Sequence, residues 1–96
     1  MKSKAKNQSF TPEVLTGTWE SVNLNPTVII YRNRNEYMLS IIHINETSKQ
    51  ASPATYEIQR DKDGYYFSYN SKRITVNYDA RLDILTISTL GNYLRN

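Results

Sequence analysis

The segment ATYEIQRDKDGYYFSYNSKRITVNY, residues 54–78, decides the fold of this 96-residue chain. Three runs in it alternate apolar and polar side chains, and polar residues at 61–64 and 70–72 separate the runs. Alternation with a period of two is typical of strands that bury one face. Asp, Asn, Ser and Gly are common in tight turns. The segment therefore predicts three antiparallel strands joined by hairpins.

The same pattern extends in both directions. The predicted strands cover residues 15–22, 27–32, 37–44, 54–60, 65–69, 73–78 and 84–89, with 90–94 forming either an eighth strand or a docked tail. Thr11-Pro12 predicts one helical turn, with Thr11 as N-cap and Pro12 in first position. Only the polar connection 45–53 is long, which leaves no room for crossover helices. We expect an all-β, antiparallel up-and-down meander of seven to eight short strands, curled into a small barrel or half-barrel.

The charge pattern separates a short arm from the rest of the chain. The net charge of +3 comes from Lys2, Lys4 and Lys6, because acidic and basic side chains balance over the remaining residues. Residues 1–10 are therefore predicted to be a flexible basic arm, and residues 11–96 a single domain. A neutral domain is a poor match to a phosphate-binding face, so we do not expect nucleic-acid binding.

Catalytic and metal-binding patterns are absent from the sequence. There is no cysteine, and His43 is the only histidine, so a thiolate site or a histidine cluster cannot form within one chain. Asp61 and Asp63 lack the further ligands of a calcium loop and are predicted to be turn residues. We predict no catalytic residue, metal or cofactor, and we expect the protein not to be an enzyme.

The second and third strands are apolar on both faces, unlike the others. Because such an outer face must be covered, we predict an interface for a protein partner or a homodimer. The residues assigned to it are Val28, Ile30, Met38, Ile42 and Ile44. The alternative is coverage by the chain itself, from Phe10 and Val14 or from Tyr93 and Leu94. No apolar run is long enough to span a membrane.

The bulky inward-facing side chains predict a packed interior, and they leave the mouth of the barrel as a second candidate site. In that alternative the protein binds a small molecule, and Trp19, Tyr31 and Tyr37 are the candidate ligand-binding residues. A barrel of about eight strands has an interior just wide enough for side chains or one small ligand.

The motif Leu15-Thr-Gly-Thr-Trp19 resembles the L-x-G-x-W opening of lipocalins and lipocalin-like barrels. In those barrels the tryptophan plugs the closed end and the glycine permits close packing. The resemblance implies these roles for Trp19 and Gly17, and a ligand-binding function at the opposite end.

Over residues 11–94 the chain is also similar to a family of short uncharacterised bacterial proteins, some of which are encoded in conjugative mobile elements. This resemblance implies an accessory or interaction role in bacteria. It implies no catalytic residue. Residues 1–10 contain no hydrophobic signal core, so we expect a cytoplasmic location unless a signal peptide was removed.

Overall fold

Eight strands and one 3-10 turn make up the computed structural model, which describes residues 11–96. The basic arm predicted for residues 1–10 lies outside the described residues. The 3-10 turn at Pro12–Leu15 comes first, and the strands are β1 (Gly17–Ser21), β2 (Thr27–Asn33), β3 (Glu36–Ile44), β4 (Ala51–Asp61), β5 (Gly64–Tyr69), β6 (Lys72–Asp79), β7 (Ile84–Ile87) and β8 (Gly91–Arg95).

Each strand pairs antiparallel with the next in sequence, and β8 pairs with β1 to close the barrel. The predicted all-β up-and-down meander is confirmed, and the closed form replaces the half-barrel alternative. Residues 90–94 are not a docked tail, because β8 pairs with both β1 and β7. β8 is therefore the strand that completes the sheet.

The N-terminal turn begins where the sequence predicts. Thr11 precedes it in an extended conformation, and Pro12 is its first residue. The Thr11 side chain makes no capping hydrogen bond, while the turn buries Leu15 completely. The turn is therefore held by packing of Leu15 against the barrel rather than by its cap.

The long β3–β4 hairpin is the main departure from the predicted strand boundaries. β4 begins at Ala51, so the connection is residues 45–50 instead of 45–53. The Asn45 side-chain oxygen accepts hydrogen bonds from the backbone N–H groups of Thr47 and Ser48, at 2.9 and 2.8 Å. Ser52 and Pro53 suggest a loop by composition, but both pair with β3. β4 pairs with β5 only through residues 59–61, so Ser52 and Pro53 have a paired strand on one side only, where such residues are tolerated.

The core fills the inside of the barrel with alternate residues from every strand. Its buried members are Leu15, Trp19, Val28, Ile30, Leu39, Ile41, Ile58, Tyr65, Phe67, Ile74, Val76, Leu85, Ile87 and Tyr93. Because side chains in a strand alternate between faces, the residues between these point outward. Alternation predicts that Tyr56, Ile58, Tyr65, Phe67, Ile74 and Val76 point inward from β4, β5 and β6. All are in this list except Tyr56, which is half-buried and packs against the core.

The barrel has two different ends. The closed end carries the N-terminal turn, the β2–β3, β4–β5 and β6–β7 connections, and Arg95. The open end carries the β1–β2 turn, the loop 45–50, and the β5–β6 and β7–β8 turns. At the closed end Asp61 and Asp63 lie in the predicted tight turn, where Asp61 Oδ1 accepts a hydrogen bond from the Asp63 N–H at 2.9 Å.

Candidate binding site at the open end of the barrel

Trp19 seals the closed end of the barrel. Its side chain is completely buried, and its Nε1–H donates a hydrogen bond of 2.7 Å to the Leu15 carbonyl oxygen. The Arg95 guanidinium lies 4.2 Å from the centre of the indole ring. Arg95 also donates to the carbonyl oxygens of Thr16 and Val14, both at 2.8 Å. The first turn, the first strand and the last strand are thus joined around one ring.

A carboxylate balances the arginine at this end. Asp83 pairs with Arg95 at 2.9 Å and accepts a hydrogen bond of 2.7 Å from the Tyr78 hydroxyl. The hydrogen bonds from Arg95, and then from Tyr78, lower the pKa of Asp83. Gly17 has φ +138°, and a Cβ there would lie 3.3 Å from Arg95 Nη1. Glycine is therefore favoured by its backbone conformation, and any other residue would also push the Arg95 side chain away by a few tenths of an ångström.

The open end contains an apolar cavity of about 130 Å³. It lies at the strand ends opposite Trp19, and Ile41, Phe67 and Ile74 form its floor. The complete lining is Pro26, Ile41, His43, Phe67, Tyr69, Ile74, Thr89 and Leu90. We call this the open-end pocket. Its floor residues belong to the buried core, since their exposed fractions are 7% or less.

Polar groups are confined to the rim of the open-end pocket. His43 lies on β3, Tyr69 at the end of β5, and Thr89 in the β7–β8 turn. Tyr69 is 45% exposed, which is high for a large ring. An apolar floor with a few polar rim groups is the usual composition of a ligand site.

Two hydrogen bonds fix the wall of the pocket that Pro26 and Leu90 form. The Tyr93 hydroxyl donates to the Pro26 carbonyl oxygen at 2.7 Å, and the Asn25 side-chain amide donates to the Leu90 carbonyl oxygen at 2.6 Å. Burial raises the pKa of Tyr93 to about 12. The tyrosine therefore stays neutral and keeps donating this hydrogen bond throughout the physiological pH range.

A family model described as "Domain of unknown function, B. Theta Gene description (DUF3876)" matches residues 3–95. The chain belongs to this family. The match agrees with the expected similarity to short uncharacterised bacterial proteins. No curated protein and no solved structure matched the chain.

The three predicted ligand-binding residues of this DUF3876 chain do not line the open-end pocket. Trp19 is buried at the closed end. Tyr31 points outward from β2 and is 39% exposed. Tyr37 packs against the core near the start of β3, with the Arg32 guanidinium 6.0 Å from its ring centre. Tyr31 and Tyr37 are neighbours across the β2–β3 hairpin but lie on opposite faces of the sheet, and none of the three residues lies at the mouth.

The predicted interface of the DUF3876 chain is divided between two faces. Val28 and Ile30 are 0% and 1% exposed and point inward, so their assignment to an outer surface is wrong. The register is the reason, because Val28 pairs with the inward-facing Ile41 and Ile30 with the inward-facing Leu39. Met38 and Ile42 are half-buried, and Ile44 is 57% exposed. These three remain available on the outside.

Neither proposed cover from the C-terminus lies on that outer face. Tyr93 is in the core, and Leu94 is 47% exposed on β8 between its partners Glu20 and Ile84. Val14 is 41% exposed beside β2, and Phe10 lies outside the described residues. Five apolar or aromatic residues on the outer face of β2 and β3 are half-buried or exposed, namely Ile29, Tyr31, Met38, Ile42 and Ile44.

Sequence reasoning missed the residues that form the mouth. Pro26, Thr89 and Leu90 lie in connections, where no alternation indicates which way a side chain points. Thr89 has φ +73° in the turn before β8, a conformation that turns the chain sharply at the pocket wall. The turn residues Pro26 and Gly91 were the available signal, but they locate the turns without predicting a cavity.

Residues 11–96 contain neither a metal-binding cluster nor a helix that could span a membrane. No group of three or more His, Asp or Glu side chains is placed to hold a metal ion. No helix in the same range has the length and apolar character needed to cross a bilayer.

Proposed function

We propose that this protein is a non-enzymatic binding module that holds one apolar group in the open-end pocket. The observation that supports the proposal is the cavity itself, which has a buried apolar floor in a barrel otherwise filled by side chains. Apolar surface that water can reach is unfavourable, and a bound group would remove the floor of the pocket from water. A cavity retained at the mouth of the barrel is therefore best explained by an occupant.

The volume restricts the size of the group that binds. Pockets for drug-sized ligands usually measure roughly 300–1,000 Å³. An apolar cavity of about 150 Å³ is known to accept benzene or xenon. At about 130 Å³, the open-end pocket matches one aromatic ring or one branched aliphatic group.

The polar groups on the rim favour binding over catalysis. A nucleophilic mechanism needs a nucleophile and a base within hydrogen-bond reach of each other. Among the described residues, His43 has no hydrogen-bonded serine, threonine or carboxylate. The rim groups are suited to orienting a polar substituent of the bound group.

The test is nuclear magnetic resonance with benzene as the probe. We expect saturable shifts of the methyl signals of Ile41, Ile74 and Leu90. Ile74→Phe, which fills the cavity, should abolish them. Leu82→Phe adds the same ring at a site that is 60% exposed near the closed end and should leave the shifts intact. The absence of shifts in the unmodified protein would overturn the proposal.

A second candidate function is a protein interface on the outer face of β2 and β3. The observation that favours it is the group of outward apolar residues there, with Ile44 57% and Tyr31 39% exposed. Apolar surface of this kind commonly marks a contact with another chain. The face would serve either a homodimer or a protein partner.

Both candidates agree with the roles implied by the two resemblances. A small barrel that holds a group at its open end corresponds to the lipocalin-like function. A module that contacts another protein corresponds to an accessory role in a bacterial conjugative element. Purification of the protein from a cell that carries such an element would test the second role directly.

A further inference from the structure

The open-end half of β4 is paired on one side only. All of its residues from Ala51 to Ile58 have partners in β3, whereas only residues 59–61 have partners in β5. β5 ends at Tyr69, and the chain turns back into β6 at residues 70–71. The upper part of the β3–β4 hairpin therefore extends past the end of β5 and presents a free edge at the mouth of the barrel.

The register shows which backbone groups face this free edge. Asn45 N–H donates to Gln50 O at 2.9 Å, so residues 45 and 50 form a hydrogen-bonded pair. Such pairs alternate along an antiparallel ladder. The pairs 43/52 and 41/54 are therefore hydrogen-bonded pairs as well. The β4 residues that alternate with them, Ala51, Pro53 and Thr55, direct their backbone groups away from β3, toward the open side. Pro53 fits there because a proline is tolerated where no ladder hydrogen bond is required.

The free edge lies directly beside the open-end pocket. His43, which lines the pocket, pairs with Ser52 on β4, and Ile41 pairs with Ala54. Ser52 and Ala54 are small, so they leave the space above the pocket open on this side. A strand added along Ala51–Thr55 would direct alternate side chains into the barrel mouth. One of those side chains would reach the pocket.

The charge at the rim restricts what such a strand carries. Lys72 begins β6 on the same face as Ile74 and pairs with Tyr69, both of which line the pocket. Within residues 11–96 it forms no ion pair. The neighbouring loop carries both Glu46 and Lys49, whose charges offset each other, so Lys72 supplies the unbalanced positive charge. An acidic residue next to the inserted side chain would complement this lysine.

We propose that the occupant of the open-end pocket is an apolar side chain of an extended peptide segment from a partner protein, which pairs with the free edge of β4 and carries an acidic residue beside the inserted side chain. The proposal rests on the proposed function and specifies its ligand. Addition of a strand to a sheet edge is an established mode of peptide recognition, in which backbone hydrogen bonds supply affinity and a pocket supplies specificity.

The pocket and the edge together favour a peptide over other occupants. A free molecule of about 130 Å³ would use the cavity but not the backbone groups of Ala51, Pro53 and Thr55. A second copy paired through this short edge would bury little surface compared with the roughly 1,200–2,000 Å² of a stable interface. A peptide uses both features and needs no larger contact.

The test is selection from a phage-displayed library of random linear peptides against the whole chain, followed by fluorescence polarisation with the most enriched peptide. Thr55→Pro removes the N–H that faces the free edge. Its matched control, Thr55→Val, keeps that N–H, and both variants lose the hydroxyl that contacts Ser40. We expect binding to weaken by roughly three- to tenfold in Thr55→Pro and to stay near the unmodified level in Thr55→Val.

Two further variants test the pocket and the charge. Ile74→Phe should abolish peptide binding, and Lys72→Glu should weaken binding of peptides that carry an acidic residue. Lack of any enriched peptide, or equal binding by Thr55→Pro and Thr55→Val, would overturn the inference. Dimerisation that Thr55→Pro abolishes would overturn it in favour of a second copy. If benzene shifts the methyl signals but no peptide binds, this inference is wrong and the proposed function is still supported.

Discussion

At the scale of single residues, the contact between Trp19 and Arg95 links the first strand to the last. Arg95 stacks on the indole and donates to two carbonyl oxygens of the N-terminal turn region, those of Thr16 and Val14. A stacked cation of this kind contributes about 0.5–2 kcal/mol, depending on its exposure. Burial of the ring itself contributes more.

The first prediction concerns Trp19. Trp19→Ala should lower the free energy of unfolding by about 3–5 kcal/mol, because it leaves a cavity in the core and removes the stacking partner of Arg95. Urea denaturation gives this value. Tyr31→Ala, at an outward-facing aromatic on β2, should cost much less. A loss below about 1 kcal/mol for Trp19→Ala would contradict its role as a core residue.

The second prediction concerns Tyr93 and alkaline pH. Its pKa is raised to about 12 by burial, against about 10 in an unfolded chain. Folding therefore favours the neutral phenol, and the stability that this preference provides is complete below pH 10 and is lost between about pH 10 and 12. Unfolding free energies measured across this range should fall by up to about 2–3 kcal/mol from this residue.

Tyr93→Phe is the control for that titration. It should lower stability at neutral pH by about 1 kcal/mol, because the Pro26 carbonyl oxygen loses its donor. It should also make the alkaline loss smaller than in the unmodified protein. An unchanged alkaline profile in Tyr93→Phe would show that the phenol does not contribute to the pH dependence.

Individual residues differ in how far their roles follow from sequence. Trp19 and Gly17 lie in one short stretch of sequence, and the structure buries the tryptophan at the closed end and places the glycine beside Arg95. Arg95 lies 79 residues from Thr16, whose oxygen it binds, and no local pattern connects them. Its role depends on closure of the barrel, which only the complete fold reveals.

At the scale of elements, β2 shows the limit of alternation as a predictor. In β4, β5 and β6 polar residues mark the outer face, and the inward set follows directly from the sequence. β2 contains four consecutive apolar or aromatic residues, Val28, Ile29, Ile30 and Tyr31. Either face of the strand could therefore be the buried one. The inward face is decided by pairing with β3, in which Ser40 opposes Ile29 and Leu39 opposes Ile30.

The third prediction tests this assignment. Val28→Lys should prevent stable folding, because it places an unpaired charge in the core. Ile29→Lys, one residue further along the same strand, should leave the protein folded, since Ile29 lies on the outer face. Circular dichroism and thermal unfolding of the two variants provide the comparison. Equal behaviour of the two would contradict the register of β1, β2 and β3.

At the scale of the whole molecule, the barrel and its mouth differ in how they depend on the sequence. The meander follows from short connections, which permit only neighbouring antiparallel strands. The pocket depends on unequal strand lengths, because β3 and β4 extend past the end of β5. Ser52 and Pro53 pair with β3 and thereby extend β4. Their residue types, however, are typical of a loop. The cavity and the free edge were therefore out of reach of sequence reasoning.

The last prediction concerns association in solution. If the outer face of β2 and β3 mediates self-association, light scattering should show a mass that rises with concentration, and Ile42→Lys should abolish the rise. Leu94→Lys adds the same charge at a residue that is 47% exposed on β8 and should leave the association unchanged. A mass that stays monomeric at high concentration would exclude a homodimer through this face. The exposed Ile44 and Tyr31 would then require a different partner, and the open end would become the first surface on which to search for it.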